Sequence, residues 1–161
     1  MLRCFGVICI FLFALYIIFC YERYQRTRIL QGEAFLLFMK FFIDEMDSYA
    51  RPMAECLRGF RSEELVKVGF LPALLSGKTP LLAYQSLRSR LLLPMGLSPI
   101  LESTFSTMGR GTRSQERRHL ALQIKRAEAL MTEEREAHPK RLRLCRTLVM
   151  ASAMGLSILL L

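Results

Sequence analysis

The sequence predicts an all-α fold in which a cytoplasmic helical bundle is flanked by N- and C-terminal transmembrane helices. Uncharged runs lie near both ends of the 161-residue chain. Between them, apolar residues recur at helical spacing, and no stretch shows the strict alternation of a half-buried strand. We therefore expect a transmembrane helix over residues 4–21, one cytoplasmic helical domain over 22–146 and a second transmembrane helix over 147–161.

The first uncharged run reads CFGVICIFLFALYIIFCY, from Cys4 to Tyr21. Its length of about 18 residues is that of a membrane-spanning helix. A cleaved signal peptide is one alternative, but no small-x-small cleavage site follows the run. A lipoprotein signal ending at Cys20 is another, and it requires a small residue near the position where the bulky Phe19 stands. A retained membrane anchor is therefore favoured.

The closing run, from Thr147 to Leu161, is shorter: about 15 residues, which rise only ~22 Å as a helix. A buried core helix is the alternative. Arg143 and Arg146 favour the membrane, because their charged heads can reach the interface while their stems lie in hydrocarbon. The run also lacks a polar face, since its serine hydroxyls can bond back to the helix.

Basic residues flank both runs on the side of the middle of the chain, and this charge predicts the topology. They are Arg23, Arg26, Arg28, Lys140, Arg141, Arg143 and Arg146. Positive charge marks the cytoplasmic side, so the middle should be cytoplasmic and both termini should lie on the far side. The net charge of +9 fits anionic membrane lipid as a partner. Nucleic acid is not expected, because the basic stretch RGTRSQERRH has no aromatic residue on which bases could stack.

Helix-start signals divide the middle of the chain. The segment Ile29–Tyr49 is apolar over a broad face, and its charged residues favour a buried helix over a third span. Gly77 is the predicted stop of one helix. The predicted first or capping residues are Pro52 for PMAECLRGF, Ser62 for EELVKVGFLPALL, Thr79 with Pro80 for PLLAYQSLRSRLLL, and Ser98 with Pro99 for ILESTFSTMG.

The last cytoplasmic helix is predicted over Gln115–Ala137. It carries a single apolar stripe on an otherwise charged surface, which is typical of a solvated helix packed on a core. Pro139 should kink or interrupt this helix before it continues into the closing run. The stripe consists of Leu120, Ile124, Ala127 and Met131, with Leu130 beside it.

Residues that commonly carry chemistry do not converge in the sequence. The triplet Gly77 to Thr79 lacks the glycine of a phosphate-binding loop, since Pro72 stands in its place, and a helix cap is favoured. His119 and His138 have no metal-ligand spacing, and no cysteine pair has C-x-x-C spacing. The sequence predicts no enzyme, no catalytic residue, no metal site and no cofactor.

Association is what remains. In the closing run, Ala151 and Gly155 have the small-x-x-x-small spacing that lets membrane helices approach closely, and this points to self-association; chance occurrence of small residues is the alternative. The stretch MGRGTR is either a basic, exposed corner for a partner or simply a turn. The partner or helix-packing candidates are Pro52, Gly109, Arg110, Arg113, Ala151 and Gly155.

Four stretches, in their order along the chain, resemble the stage III sporulation protein AB family: DEMDSYARPMAECL, SGKTPLLAYQSL, FSTMGRGT and KRLRLCRTLVMASAMGLSILLL. The resemblance covers nearly the whole chain. Thr112 stands where the family often has Asp, and Glu116 where it often has Gln. Pro139 and the region of Gly155 also depart from the family pattern.

The resemblance implies a place in an envelope-spanning assembly of endospore-forming bacteria, in the mother-cell membrane around the forespore. The cytoplasmic domain of the family is similar to the inner-membrane F protein of type II secretion platforms. By that analogy this chain would couple a cytoplasmic ATPase to ring proteins of the sporulation export channel and would carry no active site. A small membrane enzyme or transporter component and a membrane-tethered basic binding module are the alternatives.

Overall fold

A computed structural model describes residues 2–48, 57, 59–108 and 112–160, and the side chains of 2–4, 46–48 and 160 are not described. Within these ranges every regular element is a helix, which confirms the all-α prediction. The helices with defined bounds are α1 (Leu2–Ser48), α2 (Glu63–Val68), α3 (Phe70–Leu75), α4 (Pro80–Leu87), α5 (Leu97–Thr107) and α6 (Arg113–Leu160).

The chain forms two compact units. The terminal unit consists of Met1–Thr27 and Glu134–Leu161, and the central unit consists of Arg28–Glu133. Helices α1 and α6 each contribute to both units. The first predicted span and the predicted helix from Ile29 are thus parts of one helix. Residues 22–28, which connect them, contain neither glycine nor proline, so no helix-breaking residue ends α1 there.

An aromatic cluster forms the core of the central unit. Phe35 and Phe38 of α1 meet Phe70 of α3 with ring centroids 5.0 and 5.4 Å apart, both edge-on. Tyr84 of α4 and Phe105 of α5 complete the cluster at 5.6 Å from each other. Edge-to-face geometry adds to the stabilisation from burial, since it sets the positive ring edge against the negative ring face.

The predicted stripe of α6 packs into this core. Each of its four members is buried, and Leu130 beside it is partly buried, as predicted. The predicted apolar face of α1 is narrower than expected. Leu30 and Leu37 are exposed, because they lie about 100° around the helix from the face that buries Phe38.

Two predicted caps are confirmed, and one predicted helix is split. The Ser62 hydroxyl accepts a hydrogen bond from Leu65 N, and the Thr79 hydroxyl accepts one from Leu82 N, each at 3.4 Å. The single helix expected after Ser62 is wrong, because Gly69 adopts a φ of +92° and ends α2 before α3 begins. A left-handed residue terminates a helix, and glycine takes that conformation at little cost.

The predicted cap at Ser98 is also wrong. Helix α5 starts at Leu97, and its N-cap is Gly96 with a φ of +92°. Leu97 is buried, so core packing fixes the start of the helix. The Ser98 hydroxyl instead forms a 2.7 Å hydrogen bond with the hydroxyl of Tyr84. That bond satisfies the only polar group of a fully buried aromatic side chain.

The segment before α5 is held against α1. Leu92 N donates to Gln31 Oε1 at 2.7 Å, and Arg28 Nε donates to the Leu93 carbonyl at 3.0 Å. Gly32 permits this close approach, because an added Cβ would lie 3.2 Å from Pro94 Cδ of the segment, and also 2.7 Å from Met131 Sδ of α6. The hydrogen bonds from the Gln31 and Arg28 side chains satisfy the backbone groups of Leu92 and Leu93, which lie outside any helix and have no helical hydrogen-bond partner.

Pro139 lies inside α6, which runs without interruption from Arg113 to Leu160. The predicted interruption is therefore wrong, and the alternative of a kink at Pro139 stays a prediction. A proline removes one backbone donor and crowds the carbonyl four residues earlier, but the helical hydrogen bonds on either side of it remain available.

Candidate membrane-anchoring and partner-binding surfaces

The burial pattern of the terminal unit is inverted relative to a water-soluble core. On α1 the bulky side chains face outward: Phe13 is 65% exposed, and Phe5 and Phe19 are similar. The small Ala14 between them is 4% exposed. Water strongly disfavours such an apolar exterior, whereas hydrocarbon accepts it.

The closing part of α6 repeats this inversion. Leu159 is 85% exposed and Ile158 is also exposed, while Ala153 and Ser157 are buried. Ser157 Oγ donates to the Ala153 carbonyl at 2.7 Å, so the buried hydroxyl is satisfied within its own helix. Small residues on the inside allow neighbouring membrane helices to approach closely.

Length and composition make both helices able to cross a membrane. The two segments that are long and apolar enough are Phe5–Glu45 and Arg113–Leu159. Only 6% of the most apolar stretch of the first segment is buried, and only 11% of that of the second. A core helix of a soluble protein is mostly buried, so the exposure of these stretches favours lipid as their environment.

A salt bridge joins the two helices at the charged end of their apolar parts. Arg146 Nη2 donates to Glu22 Oε2 at 3.0 Å. These are the first charged residue after the N-terminal run and the last one before the closing run. Earlier on α6, Arg141 pairs with Glu134 at 2.7 Å. The charged residues therefore begin at the same level on both helices of the terminal unit.

The predicted packing candidates Ala151 and Gly155 are both exposed on one face of α6. A Cβ added at Gly155 would meet nothing within 4 Å. The buried small residues are instead Ala153 and Ser157, which have the same spacing on the opposite face and were not among the predicted candidates. The closing part of α6 from Thr147 onward, called the tail below, thus has one face of small residues that is buried and one that is exposed.

The candidates in the MGRGTR stretch are placed only in part. Arg113 is the first residue of α6, and its side chain is exposed. Gly109 and Arg110 lie outside the described residues, as do Pro52 and most of the helix predicted to start there.

A polar cluster next to this stretch joins α5 to α6, and no local sequence signal predicts it. Thr107 Oγ1 lies 3.2 Å from His119 Nδ1, and Gln123 Nε2 lies 3.3 Å from His119 Nε2. Gln123 also donates to Ser103 Oγ at 3.5 Å. These side-chain contacts link α5 to α6, and the tautomer of His119 sets which atom donates in each of its two contacts.

The remaining residues that could bind a metal, react as nucleophiles or hold a phosphate do not come together in one site among the described residues. In the described part of the chain, no three His, Cys, Asp or Glu residues form a group that could hold a metal ion. Cys9, Cys20 and Cys145 are free thiols of the terminal unit. Gly77 has a φ of +89° next to the helix cap at Thr79, as a helix stop and start require. Comparison with protein-family models, curated proteins and solved structures finds no match to this chain.

Proposed function

We propose that this chain is a non-enzymatic scaffold subunit that is anchored in a membrane through both ends and presents its central unit to partner proteins in the cytoplasm. The observation that carries the proposal is the inverted burial of the terminal unit, with Phe13 outward and Ala14 inward on α1 and the same arrangement on α6. A lipid environment is the one in which this arrangement is stable.

The cytoplasmic orientation of the central unit is supported by charge. Every described side chain beyond Arg3 and before Glu22 is uncharged, whereas basic residues are dense from Arg23 and again from Lys140 to Arg146. Basic residues are retained on the cytoplasmic side during membrane insertion.

The role as a scaffold is supported by how the central unit uses its buried polar groups. Gln31, Gln123 and Tyr84 each bond to another segment of the same unit and so lock helices and loops together. A satisfied network of this kind gives a rigid platform. Its surface, including the exposed Arg113 at the start of α6, is then available to partners.

The resemblance to the stage III sporulation protein AB family gives the proposal its cellular setting. The chain would lie in the mother-cell membrane around the forespore as part of the sporulation export channel. Its partners would be a cytoplasmic secretion-type ATPase and ring-forming proteins of that channel. The scaffold would hold these partners in register.

The first test separates membrane integration from the sporulation role. We expect the full chain to remain in the membrane pellet after carbonate washing and to be released only by detergent, with a mass that still includes residues 4–21. In inverted vesicles, protease should digest the central unit; in right-side-out cells it should not. Release by carbonate would contradict anchoring, and digestion in intact cells would contradict the orientation.

The second test is deletion of the gene in its host, scored for heat-resistant spores and for vegetative growth. We expect loss of spores with arrest after engulfment and normal growth. Complementation with Arg113→Glu tests the predicted partner corner, and Arg118→Glu is the matched control because Arg118 is also exposed on α6. Normal sporulation of the deletion strain would reject the channel role.

A further inference from the structure

We propose that the terminal unit carries a binding belt for anionic phospholipid headgroups, formed by Arg23 and Arg26 of α1 and by Lys140 and Arg143 of α6. All four side chains are exposed. This inference rests on the proposed membrane anchoring and adds the class of lipid that the anchor selects.

The salt bridge between Glu22 and Arg146 fixes the level of the belt. On α1 the belt extends to Arg26, and on α6 it extends back to Lys140. At 1.5 Å per residue these positions lie within ~6 and ~9 Å of the salt bridge along their helices. The headgroup layer of one leaflet is about 5–8 Å thick, so Arg23, Arg26 and Arg143 lie within its depth and Lys140 lies at its outer edge, where a flexible lysine side chain can reach it.

Among the residues that the structure describes, the four cations of the belt have no carboxylate partner. In the described part of the protein, no carboxylate lies within 4.0 Å of any of them. The nearby carboxylates of Glu22 and Glu134 are instead engaged with Arg146 and Arg141. These two carboxylates therefore pair with Arg146 and Arg141, which are not part of the belt. The positive charge of the belt remains available to an anion from outside the chain.

An aromatic side chain strengthens the assignment to the interface. Tyr24 lies between the two arginines of α1 in sequence, and it is 46% exposed. Tyrosine is enriched at membrane interfaces because its ring accepts an apolar environment and its hydroxyl prefers water.

The chemistry of the belt favours a phosphodiester with net negative charge. An arginine guanidinium binds phosphate oxygens through two parallel N–H donors, and a lysine ammonium adds a point charge. Zwitterionic lipids carry the same phosphate, but their own cation offsets it. The belt should therefore select anionic headgroups held at the bilayer surface.

The test is the lipid retained by the full chain when it is purified in mild detergent from membranes that contain both phosphatidylglycerol and phosphatidylcholine. For the wild type, we expect the retained ratio of anionic to zwitterionic lipid to exceed the ratio in the starting membrane. Each basic residue near an anionic surface strengthens attraction about fivefold. The variant R23Q/R26Q/K140Q/R143Q should therefore lose at least about tenfold in affinity for phosphatidylglycerol titrated into the micelles.

Two matched variants separate charge from folding. The variant K78Q/R118Q/K125Q/R126Q removes the same charge from exposed residues of the central unit and should retain the enrichment. The variant R23K/R26K/R143K keeps the charge of the belt and should also retain it. Helical content measured by circular dichroism should be equal for all variants.

Three outcomes would overturn the inference. Enrichment that survives the quadruple substitution of the belt, or that is lost equally in the control, would show that the belt does not select lipid. Competition by inorganic phosphate as strong as that by phosphatidylglycerol would show a free-anion site. A wild type that carbonate releases from membranes would overturn the proposed anchoring as well, whereas an integral wild type without enrichment would overturn the belt alone.

Discussion

The two units of this chain bury opposite kinds of residue although they share α1 and α6. In the central unit the rings of Phe35, Phe38 and Phe70 are inside. In the terminal unit Phe13 is outside and Ala14 is inside. Helical periodicity and hydrophobicity therefore do not determine which residues are buried until the solvent around the helix is known. A helix in hydrocarbon buries what packs closely, whereas a helix in water buries what is apolar.

The largest expected effect comes from truncating equal side chains in the two units. Phe38→Ala removes a ring that lies 5.4 Å from both Phe60 and Phe70. It should reduce the free energy of unfolding of the central unit by about 3–5 kcal/mol. Phe13→Ala removes an exposed ring from the terminal unit and should leave that free energy almost unchanged. Thermal and denaturant unfolding of the full chain in detergent, followed by circular dichroism, would measure both. Equal losses would show that Phe13 is also part of a packed core.

A smaller effect is expected from enlarging small residues on opposite faces of the tail. Ala153→Leu overpacks a buried position and should destabilise the helix pair of the terminal unit by about 1–3 kcal/mol. Ala151→Leu changes an exposed position and should leave the monomer unaffected. If Ala151 and Gly155 form a self-association surface, Ala151→Leu should shift the chain towards monomer in sedimentation measurements in detergent. A tail in which Ala151→Leu is the more destabilising variant would reverse the assignment of the two faces.

Glycine replacements sharpen the contrast further. Gly96→Ala places a Cβ on a residue with a φ of +92° and within 2.8 Å of Leu130 Cδ1, and it should cost about 1–2 kcal/mol. Gly155→Ala meets nothing within 4 Å in a helix and should stabilise that helix by about 0.5–1 kcal/mol. Melting temperatures of the two variants should therefore move in opposite directions. If both substitutions raised or both lowered the melting temperature, the backbone conformation described for one of the two glycines would be wrong.

The smallest expected effect concerns the water-exposed surface of the central unit. The pKa of Lys67 is raised above its ordinary value of 10.5, first by the hydrogen bond from its ammonium to Glu64, at 3.0 Å. A raised pKa in the folded state means that this stabilisation is fully present below pH 10.5 and is lost as the pH rises through the folded-state pKa. The melting temperature should therefore fall slightly more through alkaline pH for the wild type than for Lys67→Met. Identical slopes would show that the pair contributes nothing.

The elements predicted well from sequence are those set by local chemistry. The stripe from Leu120 to Met131 follows helical periodicity, and the caps at Ser62 and Thr79 need only a hydroxyl within three residues of a free N–H. The start of α5 failed because two local signals compete there, and burial of Leu97 decides between them. Packing across the chain is not visible in a window of sequence.

The candidate surfaces show the same limit. The small-x-x-x-small spacing occurs twice in the tail, and which copy is covered depends on how α6 is rotated against its neighbour within the terminal unit. The link between Thr107, His119 and Gln123 joins separate helices, so no spacing rule predicts it. Exposure of Arg23, Arg26, Lys140 and Arg143 was predictable, whereas only the structure shows that none of the described carboxylates pairs with these four.

The close approach of Gly32 to Met131 has a consequence for biosynthesis. The core face of α1 leaves the ribosome about 90 residues before the stripe of α6 that covers it, a delay of roughly 5–20 seconds at ordinary rates of synthesis. During that interval the rings of Phe35 and Phe38 lack their last covering helix. The nascent chain is therefore exposed to aggregation or proteolysis in that interval, and truncated products that end before Leu120 should be degraded quickly in the cell.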